Sequence, residues 1–152
     1  MGMEHDRLNP QELAPDLYKA VLGVEREVRR NVDGHLLHLV KLRASMVNGC
    51  AFCIDMHSTE GLNDGETPAR LFALAAWREA PFFTDAEQAA LALTDALTTL
   101  GEHGVPDEVW AEASAHFDDK TLMHLVGAVG VINLWNRLSI ALRSTPASAR
   151  AA

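Results

Sequence analysis

The sequence predicts an all-α fold in a single domain. Apolar residues recur at spacings of three and four along most of the 152 residues. Alanine and leucine abound, while aromatic residues make up only 6 %. The segments between apolar runs carry helix caps and helix stops, and no strand-like alternation stands out. A chain of this length buries a core without disulfide or metal staples.

The punctuation divides the chain into about seven helical pieces. "PQELAPDLYKAVLGVEREVRR" places Leu13, Leu17, Val21, Leu22 and Val24 at amphipathic spacing. Its Pro15 is either tolerated early in that helix or marks the true start. "GHLLHLVKLRASMVNG" has a wide apolar face, and Asn48-Gly49 is its stop because both residues tolerate the left-handed conformation. "CAFCIDMHSTEGLNDG" follows as a short helix closed by Asp64-Gly65. "TPARLFALAAWREAP" starts with Thr67 as cap and Pro68 in the first turn. "TDAEQAALALTDALTTLGEHG" opens with Thr84 and Glu87 in capping-box spacing. "PDEVWAEASAHF" is another short helix. "DDKTLMHLVGAVGVINLWNRLSIALR" is long, strongly apolar and expected to be central, with Gly127 and Gly130 allowing close helix approach. The domain is expected over residues 10–144, between an N-terminal extension, 1–9, and a flexible tail, 145–152.

A net charge of −8 without a basic stripe argues against nucleic-acid binding. "MGMEHDRLNPQEL" lacks the apolar core of a secretory signal, and no run is expected to reach the length of a membrane span. A cytoplasmic protein is therefore expected. In that compartment stable disulfides are rare, and a close cysteine pair is more often redox-active, catalytic or metal-binding.

Such a pair exists. "LVKLRASMVNGCAFCIDMHSTEG" holds the chain's two cysteines, Cys50 and Cys53, with His57 four residues further on. With Cys50 in the first turn of its helix, positions 50, 53 and 57 fall on one face. Unpaired backbone N–H groups and the positive end of the helix dipole favour a thiolate there. The thiolate is the nucleophile, so one sulfur can attack a peroxide and the other can resolve the sulfenic acid as a disulfide. His57, one turn after Cys53, is placed to carry the proton. Two other readings stay open at this point. Cys50, Cys53, His57 and His38 form a possible Cys₂His₂ zinc set, although the spacing is not that of a zinc finger. Alternatively, the cysteines are simply small core residues.

The same stretch, with "RLFALAAWREAPFFTDAEQAALALTDALT" and "VINLWNRLSIALR", resembles the AhpD-like alkylhydroperoxidase branch of the carboxymuconolactone decarboxylase family over roughly residues 17–143. The resemblance implies a helical fold, a homo-oligomer (often trimer or hexamer), and thiol-dependent reduction of hydrogen or organic peroxides. It implies no bound metal or organic cofactor, and an external dithiol reductant of lipoyl or thioredoxin-like type. Carried over by position, Cys53 becomes the sulfenic acid, Cys50, expected nearer the surface, closes the disulfide, and His57 relays the proton. Two positions depart from the pattern: His38 stands where the family's peroxidases have a glutamate, and Phe52 stands where a well-studied form has a histidine. A functional dithiol with altered pH dependence is expected from His38. Lactone decarboxylation or isomerisation, which the wider family name suggests, does not require two cysteines. A non-enzymatic redox sensor or zinc-binding assembly module is the remaining class.

Other residues have simpler readings. Glu60 and Asp55 are candidate carboxylates for the site, but a solvated helix face accounts for both. His35 is expected at an exposed helix end and His124 in a hydrogen-bonded core position. Trp77, Phe82, Phe83, Trp135 and Asn136 read as packing, Arg137 as a partner for an acidic neighbour, and Met46, Met56 and Met123 as gap fillers.

Overall fold

The computed structural model describes residues 6–151; residues 1–5 of the expected N-terminal extension lie outside the described residues. The order is α1 (Pro10–Leu13), α2 (Pro15–Asn31), α3 (Gly34–Asn48), α4 (Ala51–Asn63), α5 (Pro68–Ala73), a 3₁₀ turn (Leu74–Ala76), α6 (Asp85–Thr98), α7 (Asp107–His116), α8 (Asp119–Leu142) and α9 (Ala147–Arg150), with no strand among the described residues.

Local chemistry explains most boundaries. Asn9 caps α1, and Pro15 occupies the first turn of α2, so the proline marks a true start and splits the expected first helix in two. The Thr84–Glu87 capping box forms in both directions, at 3.2 and 2.8 Å. The segment after Thr67 is one helix in the sequence reading, but only Pro68–Ala73 is α-helical before it tightens into the 3₁₀ turn. That tightening accompanies the burial of Leu71, Leu74 and Trp77 against α3 and α6.

The helix at the centre is α3, which sequence reasoning assigned to α8. Nine of its residues are buried, from Leu36 to Ser45 with one gap, because α4, α6 and α8 all pack on it. One core lies between α2, α3 and α8, built on Val21, Val28, Leu37, Val40, Leu125 and Val129. A second joins α3 to α5, the 3₁₀ turn and α6. Arg43 binds Asp95 at 2.7 Å and the Leu74 carbonyl at 3.0 Å, which fastens the turn to both helices.

In length and mean hydropathy, 1.5 over its most apolar stretch, α8 does match a membrane-crossing helix, contrary to the sequence expectation. Its use here is that of a core helix: Asn133 and Asn136 are buried and hydrogen-bonded to α3 and α6. Neither glycine of α8 serves as a close-approach point. A Cβ at Gly127 would meet Val28 at an ordinary 3.5 Å, and one at Gly130 would meet nothing within 4 Å.

The tail makes specific polar contacts. Thr145 donates to Asp6 at 2.8 and 2.9 Å, Arg150 pairs with Asp6 at 2.7 Å, and Ser148 N donates to Asp55 at 3.1 Å. These contacts tie residues 145–151 to the other chain end and to α4. Small polar residues give no apolar periodicity, so the sequence offers no sign of them.

Candidate active site

The junction of α3 and α4 creates the site. Gly49 ends α3 in the left-handed conformation (φ 69°), a backbone state that disfavours other residues. The chain then reverses so that Cys50, extended at φ −89°, becomes the N-cap of α4. Its sulfur does what a cap oxygen normally does: it accepts the Cys53 backbone N–H, at 3.4 Å. The two sulfurs lie 2.7 Å apart. Both cysteines are free thiols, and they are 1 % and 0 % exposed.

These donors divide the pair electrostatically. The Cys53 S–H, then the Cys53 backbone N–H and the Asn136 and Ser139 side chains, stabilise charge on Cys50 against the cost of burial and hold its thiol down to about 7. The proton shared between the sulfurs stays on Cys53, whose pKa is raised by that bond and by burial. Neither sulfur is open to solvent, so exposure does not separate the two. It is Cys53, with His57, that lines a cleft of about 1240 Å³ between α2, α4, α8 and the two chain ends.

His57 is 2 % exposed. Burial lowers its pKa, opposed by a hydrogen bond to Glu60. That bond joins Nδ1 to Glu60 Oε2 at 3.2 Å, and an ionised carboxylate can only accept, so the neutral ring carries its proton on Nδ1. Nε2 is then a bare lone pair, with no partner among the described residues. The His57 contact, ahead of Arg29, holds the Glu60 carboxyl down to about 2.

Behind Glu60 lies a charge cluster. Arg29 bridges Glu60 at 3.3 Å and Glu25 at 2.8 Å, and Glu25 in turn holds Lys41. Lys41 is 1 % exposed, and burial brings its ammonium down to about 8. Sequence reasoning passed over Glu25, Arg29 and Lys41. A visible signal existed for one of them, since Lys41 interrupts the apolar run "LHLVKLR" on a helix that is apolar on nearly every side.

The structure brings Cys50, Cys53 and His57 together but not His38. Its ring faces Asp64, with Nε2 2.6 Å from Oδ2, and its Cβ is placed so that a side chain at Gly61 would meet it at 3.7 Å. The carboxylate at His57 comes instead from Glu60, on the same helix. Asp55 accepts from the tail, away from the sulfurs. His35 is exposed near Glu66, at 3.8 Å, and His124 joins Lys120 O and Glu27 near the surface. Phe52, Met56 and Trp135 line the cleft, Trp135 packing edge-on to Tyr18. Arg137 donates to Asn133, and no acidic partner is seen among the described residues. Among those residues, no three His, Cys, Asp or Glu side chains converge on a possible metal site.

The sequence profile of the carboxymuconolactone decarboxylase family matches residues 15–96. The chain belongs to this family. YdfG of Bacillus subtilis is 37 % identical over 143 residues, covering 93 % of this chain and 97 % of that protein. A crystal structure from Agrobacterium tumefaciens, of a protein of unknown function named as a candidate AhpD antioxidant-defence protein, is 39 % identical. It superposes with a TM-score of 0.89 over 93 % of this chain and 97 % of that one. The debrominase Bmp8, solved with 2,3,4-tribromopyrrole, shares the fold at a TM-score of 0.80, with 21 % identity over 91 % of this chain and 75 % of that one. The family and its AhpD-like fold are thus established.

Proposed function

We propose that the protein is a thiol peroxidase working through a Cys50–Cys53 dithiol/disulfide cycle. The observation that carries this reading is the placement of Cys53 on the cleft wall, with Cys50 2.7 Å behind it and the base His57 one turn ahead. The bare Nε2 of His57 takes the Cys53 proton. The Cys53 thiolate attacks the terminal peroxide oxygen, the O–O bond breaks, and His57 returns the proton to the departing alkoxide. The products are an alcohol, or water from hydrogen peroxide, and a Cys53 sulfenic acid. The Cys50 thiolate then attacks the Cys53 sulfur and expels hydroxide, which leaves as water after taking a proton. An external dithiol reduces the disulfide by exchange. Glu60 orients the imidazole and stabilises its protonated form during transfer, and His38 takes no part.

The test is stopped-flow thiol loss in the reduced protein mixed with hydrogen peroxide or cumene hydroperoxide. A base and a buried attack geometry should give a rate at least about a hundredfold above that of a free thiol. Cys53→Ser should abolish that phase. Cys50→Ser should keep it but leave a sulfenic acid that dimedone traps. A rate no faster than free cysteine, or one indifferent to Cys53, would refute the proposal. If the double serine variant keeps activity on a lactone, the decarboxylase reading takes its place.

The reading includes a homo-oligomer. Met123, Leu134 and Ile140 of α8 are exposed apolar residues, as is Phe72 of α5, and a second copy would cover part of this surface. Light scattering should give a multiple of the 16.6 kDa chain mass, and a monomer would remove this part.

A further inference from the structure

The cycle just described uses Cys53, Cys50, His57 and Glu60, and it leaves one buried group on the cleft wall without a task. Glu25 reaches that wall from α2 and is only 9 % exposed. Its Oε1 accepts from both Lys41 and Arg29. Its Oε2 is buried with no hydrogen-bond partner among the described residues. A carboxylate oxygen so placed can be satisfied only by a donor. Glu25 is linked to the reacting histidine through Arg29 and Glu60 by contacts of 2.8, 3.3 and 3.2 Å, so acceptor and base share one stretch of wall.

Charge decides what kind of donor fits. Lys41 and Arg29 are positive, Glu25 and Glu60 negative, and His57 neutral, so the cluster, buried at Glu25, Lys41 and His57, is already balanced. Asp6 and Arg150, also on the cleft, are paired with each other, and Arg26 is exposed at the rim. An ammonium would add an uncompensated charge to the cluster, and a carboxylate would set acceptor against acceptor. A hydroxyl supplies the donor and no charge. Leu22, Phe52, Met56, Trp135, Leu138 and Leu142, also on the wall, suit an apolar body.

We propose that the cleft takes a neutral organic hydroperoxide bearing a separate hydroxyl, which donates to Glu25 Oε2 while the apolar body lies along α4 and α8 and the peroxide meets Cys53. The substrate class rests on the peroxidase reading; the donor site does not, and the experiment separates the two. Reduced protein is titrated calorimetrically with 2-phenyl-2-propanol, the alcohol product of cumene hydroperoxide, and with its 4-hydroxymethyl and 4-carboxy derivatives. The hydroxymethyl compound should bind about tenfold tighter than the parent, as expected for a hydrogen bond to a charged acceptor, and the carboxy compound more weakly than the parent. This ranking in the wild type needs no variant. In the paired variant Glu25→Met/Lys41→Met, chosen to leave neither charge buried alone, the hydroxymethyl advantage should vanish while the parent still binds. Equal affinity for the two alcohols, tighter binding of the carboxy compound, or an advantage that survives in the variant would overturn the donor site. The probes are stable alcohols, so the ranking is read whether or not Cys53 reacts. A hydroxyl preference without fast peroxide reduction supports the donor site and overturns the peroxidase reading. Fast reduction without the preference does the reverse.

Discussion

Replacing Glu60 by glutamine tests the relay with little change of shape. The amide oxygen can still accept from His57 Nδ1 at the 3.2 Å now held by the carboxylate, so only the charge is removed. A charge-assisted hydrogen bond is about twice as strong as a neutral one, which is worth about 1 kcal/mol net, so the difference is about 1 kcal/mol. The Glu60 side chain is 36 % exposed and shares its charge with Arg29 at 3.3 Å, so screening lowers the effect to about 0.5–1 kcal/mol. The plateau rate of Cys53 oxidation should therefore fall about two- to fivefold. The direction of the pH change is more diagnostic. His57 must be neutral to accept a proton, and Glu60 raises its pKa against the lowering effect of burial. Without the charge, that pKa falls, so the acid limb of the pH–rate profile moves to lower pH while the plateau drops. Stopped-flow oxidation by cumene hydroperoxide between pH 4.5 and 9 reads both. Monobromobimane titration of Cys50 should stay unchanged, because Glu60 is not among the groups that set it. An acid limb that stays in place or moves upward would refute the relay.

Four further outcomes are expected. The Glu60 carboxyl sits at about 2 in the fold against an ordinary 4.5, so it contributes stability above pH 4.5 that is lost as pH falls through about 2. Acid unfolding followed by circular dichroism should accordingly be less steep in Glu60→Gln over that window. Lys41→Met alone should lower stability by about 2 kcal/mol, because it leaves the buried Glu25 with only the half-exposed Arg29 as counter-charge; denaturant melts against the paired Glu25→Met/Lys41→Met variant, which should be milder, check this. Asn136→Ala removes the partner of Asn48 and Ser45 and should cost about 2 kcal/mol in the same melts. It also withdraws a donor from Cys50, so the bimane midpoint should rise from about 7. His38→Gln should leave the pH–rate profile of thiol oxidation in place, since its ring is held by Asp64; a displaced profile would return His38 to the mechanism.

What the sequence reveals and what it hides follow from the range of the interactions concerned. Asn48-Gly49, the Thr84–Glu87 box and the Cys50–Cys53–His57 spacing are all set within one or two turns, and each is legible because helix geometry alone relates the residues. Glu60 was within that range and still read as solvated. Three residues after His57 is a neighbour position on any helix surface, but whether that surface meets water or a cleft depends on α2 lying across it. Glu25 and Lys41 are sixteen residues apart and meet only because α2 and α3 pack together. His38 was assigned to the site through the position of a glutamate in related proteins. The ring in fact faces the C-terminal end of α4, where Asp64 closes the helix, and no local pattern shows which way a buried α3 side chain turns.

The two sulfurs are served by networks of different kinds, and the difference suits the tasks proposed for them. Around Cys50 the donors are neutral: a backbone N–H, a thiol, and the Asn136 and Ser139 side chains, with Asn136 itself fixed by Asn48 and Ser45. The backbone N–H, Asn136 and Ser139 hold a thiolate without offering it a proton, which is what the proposed resolving sulfur needs once the Cys53 thiol has become the sulfenic acid. Around His57 the neighbours are ionised, two cations and two anions in alternation from Lys41 to Glu60. A proton arriving on Nε2 creates a new charge in a buried place, and the adjacent Glu60 carboxylate offsets that charge more than neutral dipoles could. A chain of pairs also keeps each ion compensated when one of them shifts. Arg29 is the link between the two halves of this cluster, since among the described residues it alone touches both carboxylates. Its guanidinium fixes how strongly Glu60 is free to support the imidazolium, and it thereby links the proposed proton carrier to the carboxylate proposed to meet the substrate hydroxyl.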